Sequence, residues 1–154
     1  MKDAHDDDLR LAATGGEFGF AAARGAWLAL YFYPKDNTPG CSVQAQQFRD
    51  LHARFAAAGC KVYGVSRDSL KSHEKFKAKL ALPFELIADT DEVLCRRYDT
   101  VRLKKLYGKE YRGIERSIFL FDATGVLRRE WRGVKADGSA QEILDFLEKI
   151  AVNE

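Results

Sequence analysis

Tyr33-Pro34-Lys35-Asp36-Asn37-Thr38-Pro39-Gly40-Cys41 joins two segments of opposite character, and its reading decides the fold. Before it, Leu28 to Tyr33 is a continuous apolar and aromatic run, the pattern of a strand buried on both faces. After it, Ala45, Phe48, Leu51 and Phe55 recur at spacings of three and four, so one amphipathic helix is predicted from Cys41 to Ala58. Pro34 ends the strand. Thr38 is a good N-cap, and Pro39 falls at the first helical position, where a missing N–H costs nothing. Cys41 is then the third helical residue, beside unsatisfied backbone N–H groups at the positive end of the helix dipole.

Working outward, Leu9-Arg10-Leu11 and Phe18-Gly19-Phe20 alternate around Thr14-Gly15-Gly16, which predicts an N-terminal hairpin. Gly59 stops the long helix, and Cys60 to Val65 reads as the next strand. Ser69 can cap a helix running to about Leu80; Phe84 to Ala88 is a short strand and Asp91 to Tyr98 a short helix. A basic loop with Arg102, Lys104, Lys105, Lys109 and Arg112 follows. Ser117 to Phe121 and Val126 to Trp131 form a hairpin about Ala123-Thr124-Gly125, and Ser139 to Ile150 is the closing helix. This order predicts an α/β fold with a mostly parallel central sheet, one antiparallel edge, and helices on both faces.

The 154 residues suit one domain over 1–154, with acidic residues 1–8 as a disordered tail. A net charge of +2 gives no strong pull toward nucleic acid or an anionic membrane. The longest apolar run, Trp27 to Tyr33, is far short of the ~20 residues that span a bilayer. The polar N-terminus has no signal-peptide segment, so a cytoplasmic location is expected. Cys41, Cys60 and Cys95 include no C-x-x-C pair, which argues against a disulfide scaffold or a zinc site and for a reducing compartment.

The position of Cys41 matters because the thiolate is the nucleophile. An ordinary thiol, with pKa ≈ 8.5, is only about 3% ionised at pH 7. Lowering a thiol to ~6 takes roughly 3.4 kcal/mol, of which a helix N-terminus supplies at most ~2. A cation must supply the rest. An arginine is best suited because it stays charged, though spacing alone does not choose among the many present.

The quoted segment resembles the active-site motif P-x-x-x-T-x-x-C of the peroxiredoxins, and in its longer form the peroxiredoxin Q (bacterioferritin comigratory protein) branch. Val62-Tyr63-Gly64-Val65-Ser66-Arg67-Asp68-Ser69, Tyr107-Gly108-Lys109 and Gly113-Ile114-Glu115-Arg116-Ser117 support it, so the similarity runs from about Leu9 to the last helix. The resemblance implies a thioredoxin-like fold and a thiol-dependent peroxidase, acting on hydrogen peroxide and small organic hydroperoxides. Cys41 would attack the peroxide and become a sulfenic acid. Thr38 would hydrogen-bond around the sulfur, Arg116 would hold thiolate and peroxide together, and Pro34 would shield the site. Backbone N–H groups near Gly40 and Cys41 would bind the peroxide oxygen. The resemblance further implies a monomer recycled by a thiol reductant (thioredoxin, glutaredoxin or glutathione); no cofactor and no metal are expected.

The resolving cysteine usual in this family would stand at Gln46 or near Lys75-Phe76-Lys77, and neither carries one. A one-cysteine cycle is therefore expected, with Cys60 and Cys95 as buried structural residues; the alternative is a two-cysteine cycle through Cys95 or Cys60. His52 would lie roughly 16 Å from Cys41 along a continuous helix, too far for a dyad. His73 reads as a solvated residue on a polar helix face, His5 as part of the tail, and Trp131 as packing. A thiol–disulfide oxidoreductase is disfavoured by the missing C-x-x-C, and a non-catalytic scaffold by the retention of Thr38, Cys41 and Arg116.

Overall fold

Seven strands form one sheet in the computed structural model, which describes residues 8–153, with side-chain surroundings for 8–150. The chain runs β1 (Leu11–Ala13), β2 (Gly16–Phe18), α1 (Phe20–Ala23), β3 (Trp27–Phe32), α2 (Pro39–Asp50), α3 (His52–Ala57), β4 (Cys60–Ser66) and α4 (Leu70–Leu80). It continues with β5 (Glu85–Ala88), α5 (Val93–Arg97), β6 (Val101–Leu106), β7 (Lys109–Ile114), β8 (Ser117–Phe121), β9 (Leu127–Arg132) and α6 (Ser139–Asn153). The sheet order is β2-β1-β5-β4-β3-β8-β9; β6 and β7 form a separate two-stranded sheet. The acidic stretch 1–7, with His5, lies outside the described residues.

β3 is central and buried on both faces, as its apolar run requires. Its alternate side chains sort into two cores. Ala29, Tyr31 and Tyr33 pack beneath residues of α2, α3, α4 and α6, whereas Leu28, Leu30 and Phe32 face α1 and α5. Helices thus cover both faces.

Three expectations change. Antiparallel pairs flank the sheet on both sides, not one: β8 runs against β3, and β1 returns to pair with β5 through Ala13 and Ile87. Thr14 locks that return, its N–H donating to the Leu86 carbonyl at 2.9 Å and its hydroxyl oxygen accepting the Leu86 N–H at 2.8 Å. The long helix breaks at Leu51 (φ −97, ψ 1), giving α2 and α3, so continuous helical rise no longer sets the separation of Cys41 and His52. His52 instead stacks against Phe84, ring centroids 6.3 Å apart. The basic loop is the β6–β7 hairpin, turning at Tyr107 (φ 53) and Gly108 (φ 76), the two positive φ values of a tight hairpin turn.

Gly64 shows how closely the core under α2 is fitted. A Cβ there would fall 2.7 Å from Leu86 Cδ2 and 2.9 Å from Tyr31 Cζ, so the Tyr31 ring occupies the space a side chain would need. Gly64→Ala is expected to destabilise the fold by about 1–3 kcal/mol in urea denaturation, from overpacking a central strand.

Candidate active site

Cys41 is the third residue of α2, as the position of Pro39 requires, and its side chain is 2% exposed. Arg116, in the short link between β7 and β8, reaches it across 75 residues of sequence, with Nη2 3.5 Å from Sγ. The guanidinium is aimed by Gln44, whose Oε1 accepts from Nη1 at 2.6 Å. Gln44 Nε2 in turn donates to Ser139 Oγ at 3.0 Å, at the start of α6. Gln44 is fully buried, one helical turn after Cys41. Sequence reading passed over it, although a polar residue at i+3 on a buried helix face needs a partner.

Gly40 gives this approach clearance, since a Cβ there would lie 3.3 Å from Arg116 Nη2, close enough that the guanidinium would have to give by a few tenths of an ångström. Thr38 occupies the N-cap, with extended φ/ψ, but its side chain makes no capping bond. The expectation that its hydroxyl caps α2 is therefore corrected: Oγ1 donates back to the Lys35 carbonyl at 2.9 Å, leaving the first N–H groups of the helix without that cap. Pro34 is half-buried in the bend that follows β3.

His73 overturns its assignment as a solvated residue. It is fully buried, because it shares a stripe with Phe76 and Leu80 at helical spacing, a signal that the neighbouring Ser72 obscured. Nε2 faces the Ile87 carbonyl at 2.9 Å, an acceptor only, so it carries a proton. Nδ1 lies 2.7 Å from Asp36 Oδ2, with a proton between them. Asp36 also accepts from Tyr33 at 2.5 Å and Ser72 at 2.8 Å, and its N–H donates to Asp68 at 2.8 Å. Burial pushes the Tyr33 hydroxyl well up from its ordinary range, which keeps it a donor. This network pins the loop before Cys41 to α4 and to the end of β4. Asp36, Asp68 and His73 hold potential metal-ligand atoms within 4.8 Å of one another. Both ring nitrogens are already engaged by protein groups, so the cluster reads as a hydrogen-bonded anchor.

The remaining thiols sit elsewhere. Cys95 belongs to the core on the opposite face of the sheet from Cys41. Cys60 pairs with Trp27 at the far end of β3, five strand steps from Phe32, or about 16 Å. Burial pushes each of these two thiols up to about 12, with Asp89 adding to the rise at Cys95. All three cysteines are free.

A buried cysteine in the first turn of a helix, faced by a guanidinium on a thioredoxin fold, defines a class of thiol enzyme. Residues 2–130 match the AhpC/TSA family, and the chain belongs to it. Peroxiredoxin Bcp of Xanthomonas campestris is 47% identical over 91% of this chain and 88% of its own length. The Bacillus subtilis Peroxiredoxin Bcp is 46% identical over 94% of this chain and 92% of its own. A solved structure of X. campestris peroxiredoxin Q superposes with a TM-score of 0.89, at 45% identity over 97% of this chain and 95% of that one. The chain thus stands on the Bcp (peroxiredoxin Q) branch and is a thiol-dependent peroxidase, using a peroxide substrate and a thiol reductant.

Two outcomes follow from the buried groups. His73→Ala, which leaves the Asp36 carboxylate buried without its partner, is expected to cost about 3–5 kcal/mol in urea denaturation; Asp36→Asn with His73→Leu should cost less. Unfolded thiols ionise near pH 8.5, while Cys60 and Cys95 in the fold hold their protons to about 12. The folded state therefore binds more protons in that window, and stability is full below about pH 8.5 and declines as pH rises. Urea midpoints at pH 8 and pH 10 should show this fall, and Cys60→Ala should flatten it.

Proposed function

We propose that Cys41 is the peroxidatic residue of a one-cysteine cycle reducing hydrogen peroxide and small organic hydroperoxides. The observation that carries this reading is the 3.5 Å contact of Arg116 Nη2 with Cys41 Sγ at the uncapped start of α2. A guanidinium and free helix N–H groups are the donors that a thiolate nucleophile uses. They also suit the oxygen that gains charge as the O–O bond breaks. The thiolate attacks the terminal oxygen, an S–O bond forms, and the alkoxide or hydroxide leaves and takes up a proton. The cysteine is oxidised to a sulfenic acid and the peroxide is reduced to alcohol or water.

In this reading Arg116 binds both thiolate and peroxide, Gly40 leaves room for them, and the N–H groups of Gly40 and Cys41 receive the peroxide oxygen. Thr38, whose hydroxyl donates to the Lys35 carbonyl, offers its lone pairs to a peroxide O–H. Pro34 shapes the entry. An X. campestris relative, 44% identical with a TM-score of 0.90, was solved in work on its alkyl peroxide reduction activity, which supports organic hydroperoxides as substrates here. The two-cysteine alternative would have Cys60 or Cys95 ionise and then travel to Cys41; burial and placement oppose both steps. The sulfenic acid therefore meets an external thiol, forming a mixed disulfide and water, and a second thiol releases Cys41. A monomer in a reducing, cytoplasmic setting fits the three free thiols.

Peroxide consumption with dithiothreitol should fall to background in Cys41→Ser. In Arg116→Ala, kcat/KM for peroxide should drop about 10²–10³-fold, and Arg116→Lys should restore only part of it. Intact mass after one equivalent of peroxide should show one added oxygen that dimedone traps. A loss of two hydrogens, abolished by Cys60→Ser or Cys95→Ser, would overturn the one-cysteine cycle.

A further inference from the structure

Among the described residues, four of the seven exposed large apolar side chains gather on one hairpin. Leu103 (66% exposed) and Leu106 (55%) lie on β6, Tyr111 on β7, and Tyr107 (95%) at the turn between them. The hairpin pairs with no strand of the main sheet. Its register places Arg102, Lys104 and Leu106 on one face with Lys109, Tyr111 and Gly113 of the facing strand. Those six positions carry three cations and two apolar side chains, with Glu115 beyond Gly113 on the same face. Gly113 lets the Tyr111 ring and the Lys104 stem fold over it, since a Cβ there would meet them at 3.1 and 3.2 Å. Arg102 is paired with Asp99 at 3.1 Å and lies 3.9 Å from Glu115, whereas Lys109 has no ion-pair partner among the described residues and supplies the unpaired charge of the face.

This face adjoins the thiol chemistry. β7 leads through Glu115 into Arg116, which touches the Cys41 sulfur. The Lys104 ammonium donates to the Ile114 carbonyl at 2.7 Å, two residues before Arg116. Burial, and next the Arg116 charge, lower the proton affinity of Lys104, as expected of a cation held beside that guanidinium.

Building on the one-cysteine cycle, we propose that the Arg102–Lys104–Leu106–Lys109–Tyr111 face, with Tyr107 at its tip, docks a dithiol protein with an acidic, apolar-centred surface and delivers its thiol to oxidised Cys41. Charge selects this occupant. A second copy bound through the same face would set these cations against themselves, which like-charge repulsion opposes. A small thiol would need a concavity, whereas an exposed strand face with tyrosines and cations has the composition of a protein interface. At the site the donor thiolate attacks the sulfenic sulfur. An S–S bond forms, the S–O bond breaks, and the hydroxide that leaves takes up the proton the donor thiol gave up, becoming water. The donor's second thiol then breaks the mixed disulfide, so the donor is oxidised and Cys41 leaves as a thiolate.

The test uses the full chain with reduced thioredoxin (regenerated by its reductase), reduced glutaredoxin, glutathione alone, and dithiothreitol as donors. Tyr107→Ser with Lys109→Glu should lower kcat/KM for the protein donor by about tenfold or more, and 0.5 M salt should lower the wild-type value. Cys41 oxidation by peroxide in a single turnover, and dithiothreitol-driven turnover, should be unchanged in that variant. Equal kcat/KM for both protein donors in variant and wild type would overturn docking at this face. So would turnover that glutathione alone sustains while neither protein does. Failure of the one-cysteine cycle is read separately, as an intramolecular disulfide in the oxidised wild type.

Discussion

Everything at this site depends on keeping a guanidinium against a buried sulfur. An arginine that leaves water must find partners for its N–H groups, or its desolvation destabilises the fold. Arg116 finds them in Cys41 Sγ and Gln44 Oε1, both presented by one turn of α2. Gln44 can face inward because Ser139 takes its other end, and Ser139 donates on to the Ala136 carbonyl at 3.2 Å. The start of α6, the first turn of α2 and the β7–β8 link are thus tied through one polar chain. Gly40 gives this chain clearance, because a Cβ there would press on Nη2.

The loop that delivers Cys41 has its own anchor. Asp36 lies five residues ahead of the sulfur and accepts hydrogen bonds from Tyr33, Ser72 and His73, while its N–H is held by Asp68. Asn37, with φ 63, then reverses the chain, so that Thr38 and Pro39 open α2 directly over the end of β3. Tyr33 joins the anchor to the aromatic stack, with its ring 5.4 Å from Tyr31, which stacks at 4.5 Å on Phe48 of α2. Helix and loop are therefore positioned by the same core face of β3. Displacement of the loop would be opposed by packing as well as by hydrogen bonds.

The parts that sequence revealed are those governed by local rules. Pro39 at the first helical position placed Cys41, Ser69 capped α4 by accepting from the Ser72 N–H, and Gly59 ended α3 in the left-handed region. Arg116 came from a family motif, since nothing in its spacing ties it to a sulfur 75 residues away. The parts that stayed hidden depend on partners distant in the chain. His73 was misread because its acceptors, Asp36 and Ile87, lie 37 and 14 residues away. The β6–β7 strands were hidden by their many cations, which mask the alternation that hairpin pairing uses. The break at Leu51 has no glycine or proline to announce it.

The sheet itself shapes the redox chemistry open to this chain. Cys41 and Cys95 belong to cores on opposite faces of the sheet, with the doubly buried β3 between those cores. Cys95 has its backbone N–H on the Asp89 carboxylate, so moving it would also strip a buried acid of a donor. Cys60 shares the face of Cys41 but begins β4, where parallel pairing with Trp27 fixes it at the opposite end. Both thiols are buried in the core, and that burial, joined at Cys95 by the Asp89 carboxylate, is what withholds their anions. In the proposed one-cysteine cycle reduction comes from outside, and donor choice would then be made at the surface beside Arg116 rather than at a second sulfur in the chain.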